Sequence, residues 1–328
     1  GVFGVQTLDD GLEIERFLQE ERPKRAVVVG GGYIGLEMAE ALVVKGLEVA
    51  LVELAPQPMS TLDPDMGERI AQGVRDLGID LFTSEPVTAI DSRGGHVSAV
   101  ITDDHELPAD LVVLGLGARP NIELVEEAGV RIGPSGGIAV DQRMRTPTEG
   151  VWAAGDCAEK FHRVALAPVS IALGTHANKE GRVAGINLGG GYATFPGVVG
   201  TAVSKVCDLE VARTGLKEAE AAEAGFEYVT ASMDSSTRAG YFPGAAEIRT
   251  KLVAERRSGR LLGAQIVGRE GAAKRIDVLA TALWNEMTVG EMLNLDLSYA
   301  PPFAPVWDPV LIAARKTWDL VQEEAHPD

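Results

Sequence analysis

The chain has 328 residues, of which 45% are hydrophobic and 24% charged, which is enough for about two packed domains and argues against a disordered coil. Its net charge of −18 opposes a nucleic-acid backbone, so an anionic ligand would need backbone N–H groups or a few local basic residues. No apolar run is long enough to span a bilayer, the start Gly1-Val2-Phe3-Gly4-Val5 has neither the basic region nor the cleavage site of a signal peptide, and two cysteines, Cys157 and Cys207, make no disulfide framework; the expected compartment is the reducing cytoplasm.

The first residues read as a connector into a helix over Leu8–Glu21, which Pro23 stops. Ala26-Val27-Val28-Val29 is a continuous apolar run suited to a buried parallel strand. Gly30-Gly31-Gly32 turns the chain into a helix over Tyr33–Lys45, with Gly46 at the C-cap. Glu48–Val52 is a second buried strand, completing a βαβ unit. A helix over Asp65–Leu77, a strand over Ile79–Phe82, a meander over 87–102 and a buried strand over Leu111–Leu116 continue the pattern. A second block, 119–191, holds a helix at Ile122–Ala128, a hairpin around Pro134–Gly137, a strand at Val151–Ala154 and a helix near Leu173–Asn187. After Gly189-Gly190-Gly191 the order becomes strands then helices. Strands are expected at Thr201–Val206, Tyr228–Met233, Arg249–Glu255 and Leu261–Val267, and a helix at Ala272–Glu286.

Gly30-Gly31-Gly32-Tyr33-Ile34-Gly35 fits G-x-G-x-x-G in its proper setting, after a buried strand and opening a helix, with Glu53 following Gly35 by 18 positions. Gly30 permits the turn, Gly32 lets backbone approach a pyrophosphate, and Gly35 lets helix and strand pack closely. Glu53 would accept hydrogen bonds from ribose hydroxyls and repel a 2′-phosphate, favouring NADH over NADPH. Gly133-Pro134-Ser135-Gly136-Gly137 formally matches a hydrolase nucleophile elbow, but strand-like runs on both sides make it a hairpin turn. The five histidines, His96, His105, His162, His176 and His326, show no metal-ligand spacing. Cys157 reads as a small buried hydrophobe and Cys207 as part of a strand. Arg256, Arg257 and Arg260 read as a solvated edge, as does the helix start Lys274-Arg275.

Thr146 to Asp156, a short strand ending in Gly155-Asp156, resembles the second flavin motif of the flavoprotein pyridine nucleotide-disulfide oxidoreductases. Leu114-Gly-Leu-Gly-Ala-Arg-Pro-Asn121 resembles their return crossing, with Gly117 near the nicotinamide. Ser170 to Arg182 resembles the helix entry, at Gly174, that faces the flavin pyrimidine. Val198–Leu216, Arg238–Gly244 and Tyr299–Pro309 are most similar to the NADH-dependent coenzyme A-disulfide reductase and NADH oxidase branch.

The resemblance implies an α/β fold of Rossmann-like FAD- and NAD-binding domains plus a C-terminal α+β dimerisation domain. Its boundaries would be 8–118 for the NAD domain, 119–193 for the returning FAD segment and 194–328 for dimerisation. It implies FAD and NAD as cofactors and a cytoplasmic homodimer that passes a hydride from NADH through flavin to a disulfide or persulfide such as coenzyme A disulfide. Tyr299 and Tyr241 would act at the reactive sulfur of the other subunit, Asp156 would contact the flavin ribityl chain, and Asn178 and Trp307 would line the substrate pocket. Tyr33 would gate the nicotinamide, Ile34 would lie in the cofactor-binding turn, and Glu37 matches a glutamate near the flavin. The family's first FAD-binding unit with its redox cysteine has no counterpart here, and the end after Glu324 leaves no room for an appended rhodanese domain. Reduction of oxygen by an NADH oxidase, and an inert NAD-binding and dimerisation fragment, are the alternatives.

Overall fold

The computed structural model describes residues 1–325; of the histidines, His326 lies outside that range. The N-terminal unit runs β1 (Val2–Gly4), α1 (Leu8–Glu21), β2 (Arg25–Val29), α2 (Tyr33–Val44), β3 (Glu48–Glu53), α3 (Pro64–Asp76), β4 (Asp80–Thr83), β5 (Val87–Arg93), β6 (His96–Thr102), β7 (Glu106–Pro108) and β8 (Leu111–Leu114). Five strands form one parallel sheet in the order β1-β8-β2-β3-β4. The apolar runs of β2 and β8 are buried on both faces, as a parallel sheet requires. β5, β6 and β7 form an antiparallel meander over one face. Val2–Gly4, read as a connector, instead pairs with β8 as the edge of the sheet.

The middle segment holds α4 (Glu123–Glu127), β9 (Lys160–His162), β10 (Ala167–Val169) and α5 (Gly174–Leu188). The expected strand at 151–154 is reduced to a single bridge between Trp152 and Arg145. Its backbone is engaged locally, with Thr146 N–H donating to Val151 and Ala153 N–H to Met144. No second strand flanks it among the described residues.

The C-terminal unit comprises β11 (Ala202–Val206), β12 (Leu209–Gly215), α6 (Glu218–Glu223), β13 (Tyr228–Ser236), β14 (Glu247–Glu255), β15 (Leu261–Gly268), α7 (Ile276–Trp284), α8 (Val289–Met292) and α9 (Pro309–Ala325). Its sheet is antiparallel, ordered β11-β12-β15-β14-β13. One core joins this sheet to α7 and α9, through Leu252, Ile266, Leu279 and Val310. The opposite face shares a core with the first unit, where Val206, Val211 and Val267 pack among Leu36, Met66 and Ile70. Cys207 is not in a strand: with a φ of 55° it sits in the two-residue turn between β11 and β12. The helix expected at 272–286 begins as a 3₁₀ turn, Ala273–Arg275, before α7.

These are the mixed α/β layers anticipated from the sequence, with a Rossmann-type parallel sheet followed by an α+β unit. No described helix is long and apolar enough to cross a membrane.

Candidate functional site

In the parallel sheet β2 lies between β3 and β8, so the chain crosses in opposite directions from β2, and a crevice opens beyond the carboxyl ends of those strands. The glycine turn sits there. Gly30 has a φ of 103°, and a Cβ on it would lie 2.5 Å from the Gly115 carbonyl oxygen. A Cβ on Gly35 would lie 1.8 Å from the Gly30 oxygen. Strand, helix and return strand therefore meet backbone to backbone, and Gly115 is a third packing glycine that the sequence reading did not single out. Gly32 differs: nothing lies within 4 Å of a Cβ built there. It is the N-cap of α2 and makes no side-chain cap, so the first N–H groups of α2 face open space with the helix dipole behind them.

Gly30, Gly32, Tyr33, Ile34, Glu53 and Gly117, all expected at a cofactor, line one crevice of 990 Å³. Gly117 takes a φ of 79° there. Glu53 is tied at both oxygens, accepting from Gly31 N–H at 2.5 Å and Ala55 N–H at 2.7 Å. The lining includes two further glutamates, Glu37 and Glu85, and neither lysine nor arginine. Glu85 accepts from the Thr102 hydroxyl at 2.7 Å and lies 3.0 Å from His105 Nδ1. The Thr102 hydroxyl foremost, then His105, holds its carboxyl below the usual range against burial. Glu37 also accepts from the Ser204 hydroxyl at 3.1 Å. Tyr33 lines both this crevice and a neighbouring one of 840 Å³.

In the middle segment Gly155 has a φ of 83°, and Asp156 after it is exposed. Gly155 N–H donates to Glu180 Oε2 at 2.7 Å, and Lys160 Nζ donates to the Gly155 and Ala158 carbonyls at 2.8 Å. Lys160 and Glu180 are wholly buried, 3.6 Å apart. Burial pushes the Glu180 carboxyl above its usual range, against the pull of Lys160. Glu180 Oε1 and His176 Nδ1 are buried without a hydrogen-bond partner. Burial foremost, then Lys160 and Lys179, lowers His176 to about 4, so it is neutral at physiological pH. α5 starts at Gly174 without a side-chain cap. An exposed carboxylate beside an uncapped helix end suits a polyol chain joined to an electron-rich ring, and FAD fits these residues as NAD fits the glycine crevice.

Tyr241 and Tyr299 are both exposed and meet: desolvation first, then a hydrogen bond with Tyr241, raises the Tyr299 hydroxyl above its usual range. Arg275 holds this region together. Its guanidinium donates to the Thr237 carbonyl at 2.6 Å, to that of Phe303 at 3.0 Å, to that of Gly271, and to Asp308 at 3.0 Å. Reading Lys274-Arg275 as a solvated pair was therefore half right: Lys274 is exposed and pairs with Asp277, whereas the Arg275 side chain is only 11% exposed and pairs with Asp308. Trp307 is exposed under the Arg315 guanidinium, 5.4 Å from its ring centre. Asn178 is exposed on α5, and no hydrogen bond or ring contact joins it to Trp307 among the described residues.

Ser135 donates to Glu159 from both its amide and its hydroxyl, inside a turn closed by an Ile132–Ile138 bridge; it is a turn residue. Cys157 bonds the Ala154 carbonyl at 3.5 Å. The Cys207 thiol is pushed up to about 11 by burial and then by Glu40 and Asp208, the opposite of an activated thiolate. No cluster of metal-ligating side chains occurs among the described residues.

A parallel sheet with a glycine crevice at its switch point, joined to an antiparallel unit bearing a tyrosine pair, defines a dinucleotide-binding protein of the oxidoreductase type. The sequence pattern of the pyridine nucleotide-disulphide oxidoreductases matches residues 1–181, and that of their dimerisation domain residues 201–309. The chain belongs to this family. It is 42% identical over 316 residues to a CoA-dependent NAD(P)H sulfur oxidoreductase of Pyrococcus abyssi, covering 96% of this chain and 70% of that one. It is 38% identical over 316 residues to an NADH oxidase of Methanocaldococcus jannaschii, with 96% and 70% covered. The solved structure of an NAD-dependent persulfide reductase from A. fulgidus superimposes with a TM-score of 0.94 at 42% identity, over 97% of this chain but 59% of that one. The chain thus spans less than two thirds of that structure.

Proposed function

We propose that this protein belongs to an FAD-dependent enzyme that passes a hydride from NADH to a disulfide or persulfide, with coenzyme A disulfide or a coenzyme A persulfide as the acceptor class. The carrying observation is the crevice itself: an uncapped α2 N-terminus over open space at Gly32, with three glutamates and no cation in its lining. Backbone N–H groups there would hold a pyrophosphate. Glu53 and Glu85 would oppose a further phosphate on the ribose, which favours NADH.

NAD and FAD supply the hydride chemistry when bound. Tyr33 lines both crevices and would separate the nicotinamide from its neighbour. Asp156 would accept from the ribityl hydroxyls, and the α5 N-terminus would stabilise negative charge on the ring. Tyr299, kept protonated by desolvation and Tyr241, would donate its proton to a departing thiolate. Asn178 and Trp307 would border the acceptor. The working unit is a homodimer in which the tyrosine pair serves the other subunit. The functional units would be 8–118, with the edge strand 2–4 added, then 119–193 and 194–328. The free thiols Cys157 and Cys207 fit a reducing cytoplasm.

The test is the visible spectrum of the purified full-length protein. A flavin band bleached by anaerobic NADH, and reoxidised by coenzyme A disulfide or polysulfide, supports this reading. Reoxidation by oxygen alone favours the oxidase activity named for the Methanocaldococcus relative. NADH binding without a flavin band refutes both.

A further inference from the structure

We infer that Lys160 and Glu180 are positioning residues for the flavin: they fix the Gly155–Asp156 turn in register with the α5 N-terminus. The inference rests on the FAD reading above. Three observations carry it.

First, the two side chains take up both polar ends of one glycine. Gly155 N–H goes to Glu180 and the Gly155 carbonyl to Lys160. Lys160 also holds the Ala158 carbonyl, so the whole turn after Asp156 is fastened from below. Second, Glu180 stands on α5, so the same carboxylate that grips the turn also belongs to the helix whose first residue is Gly174. The two elements assigned to the flavin are joined to each other through this contact. Third, the pair is buried completely, where two ions are a poor source of stability: apolar residues of similar size are often as good or better. A cost of that kind is understandable where geometry is what the pair provides. The facing charged and titratable groups are few. Asp156 stands above, His176 sits one helical turn before Glu180 on the same face of α5, and Lys179 adjoins it.

The experiment uses the full-length flavin-loaded protein and three variants: Glu180→Gln, Glu180→Leu and the double variant Lys160→Met with Glu180→Leu. FAD release is followed by the rise of flavin fluorescence on dilution, the flavin environment by visible circular dichroism, and the fold by thermal melting. Glu180→Gln keeps an acceptor for Gly155 N–H and should release FAD within about threefold of the wild-type rate, whereas both Leu-containing variants should release it at least about tenfold faster, a factor equivalent to about 1.4 kcal/mol. Their visible dichroism should change, and NADH affinity at the Gly30–Gly35 crevice should not. If Glu180→Leu alone unfolds, the double variant decides, because it leaves no unpaired buried charge. A double variant that melts normally and holds FAD with wild-type rate and dichroism overturns this inference alone. A wild type that retains no flavin overturns the functional reading and this inference with it.

Discussion

Two glycines three positions apart in one turn should respond oppositely to the same methyl group. A Cβ on Gly35 would lie 1.8 Å from the Gly30 oxygen, where non-bonded contacts below 3.0 Å are essentially never seen. Helix α2 would have to retreat from β2 by more than an ångström, through a layer that contains Leu36, Ala39 and Leu42. Overpacking of this sort costs about 1–3 kcal/mol and occasionally more. Gly32 has a φ of −79°, a conformation open to any residue, and no protein atom within 4 Å of its Cβ. Gly32→Ala should therefore fold as well as the wild type, and loss of unfolded-state freedom could add about 0.4–1 kcal/mol of stability. Its methyl, however, would occupy the open space through which the proposed pyrophosphate approaches the α2 N-terminus. Denaturant titration should show Gly35→Ala destabilised and Gly32→Ala unchanged or better. NADH titration by fluorescence should show Gly32→Ala weakened at least about tenfold, which is about 1.4 kcal/mol. Unaltered NADH affinity in Gly32→Ala would remove the pyrophosphate from this turn, and a neutral Gly35→Ala would contradict the packing argument.

Other expectations can be measured on the same protein. Lys251→Met removes the cation that meets Asp63 at 3.3 Å, Asp65 at 2.6 Å and Glu218 at 2.5 Å, and breaking a buried pair of this kind costs about 3–5 kcal/mol; a melt within error of wild type contradicts it. The Lys251 pKa is raised, so that contribution is present below its unfolded value of about 10.5 and is lost as alkaline pH rises through the folded value. The Asp65 pKa is lowered, so its share is present above the unfolded value and is lost as pH falls through the folded one. His162 and His176 are lowered from 6.5 to about 4, chiefly by burial. Between those values the unfolded chain binds more protons, so stability should fall as pH drops from about 7 to about 5, by at most about 2 kcal/mol per histidine; flat denaturation midpoints across that range would be inconsistent with neutral buried imidazoles. Arg275→Lys cannot reproduce a guanidinium that bridges Thr237, Gly271, Phe303 and Asp308. Acceptor turnover should drop about tenfold or more while stopped-flow NADH-to-flavin transfer is unchanged; equal loss of both would assign Arg275 to general stability.

What was legible in the sequence was what is encoded locally. The β2-turn-α2-β3 unit announces itself because a buried strand, a glycine turn and a terminal acid each need particular residues at short spacing. Glu53 is expected at the crevice for that reason and lines it, and its two bonds to the Gly31 and Ala55 N–H groups show that it holds the turn. Long-range roles were hidden. Arg275 looked like half of a charged pair, yet its partners lie up to 38 residues away in sequence. Lys160, on the short strand β9, and Glu180, on α5, carry no sign of burial, since a charged side chain usually faces water. The 151–154 run has strand-like residues, but a strand is defined by its neighbours, and this one has a single bridge. Cys207 reads as part of a strand but lies in the turn that follows Val206; Asp208 beside it is the available turn signal.

The crevice is not the property of the first unit alone. Glu53 and Glu85 come from the parallel sheet and its loops, Ala172 and Leu173 from the middle segment, and Ala202 and Val203 from the C-terminal sheet. Its width therefore depends on how firmly the three are joined. Asp63 shows where that firmness comes from. It occupies the N-cap position of α3 but makes no cap bond with its side chain. Its carboxylate instead accepts from Gln265 at 2.6 Å and from the Glu218 N–H at 3.0 Å, beside Lys251. A helix that forgoes its own cap, worth about 1 kcal/mol, to grip another sheet binds the first and third units into one body. The middle segment is held differently, to the third unit, by the His162–Val198 bridge, the Arg163 guanidinium donating to the Trp284 carbonyl at 3.3 Å, and Val164 buried in the C-terminal core. Tyr33, Ala118, Ala172 and Leu173 line both the glycine crevice and its neighbour, so the two cavities share one wall, and that wall is built from the first unit and the middle segment together.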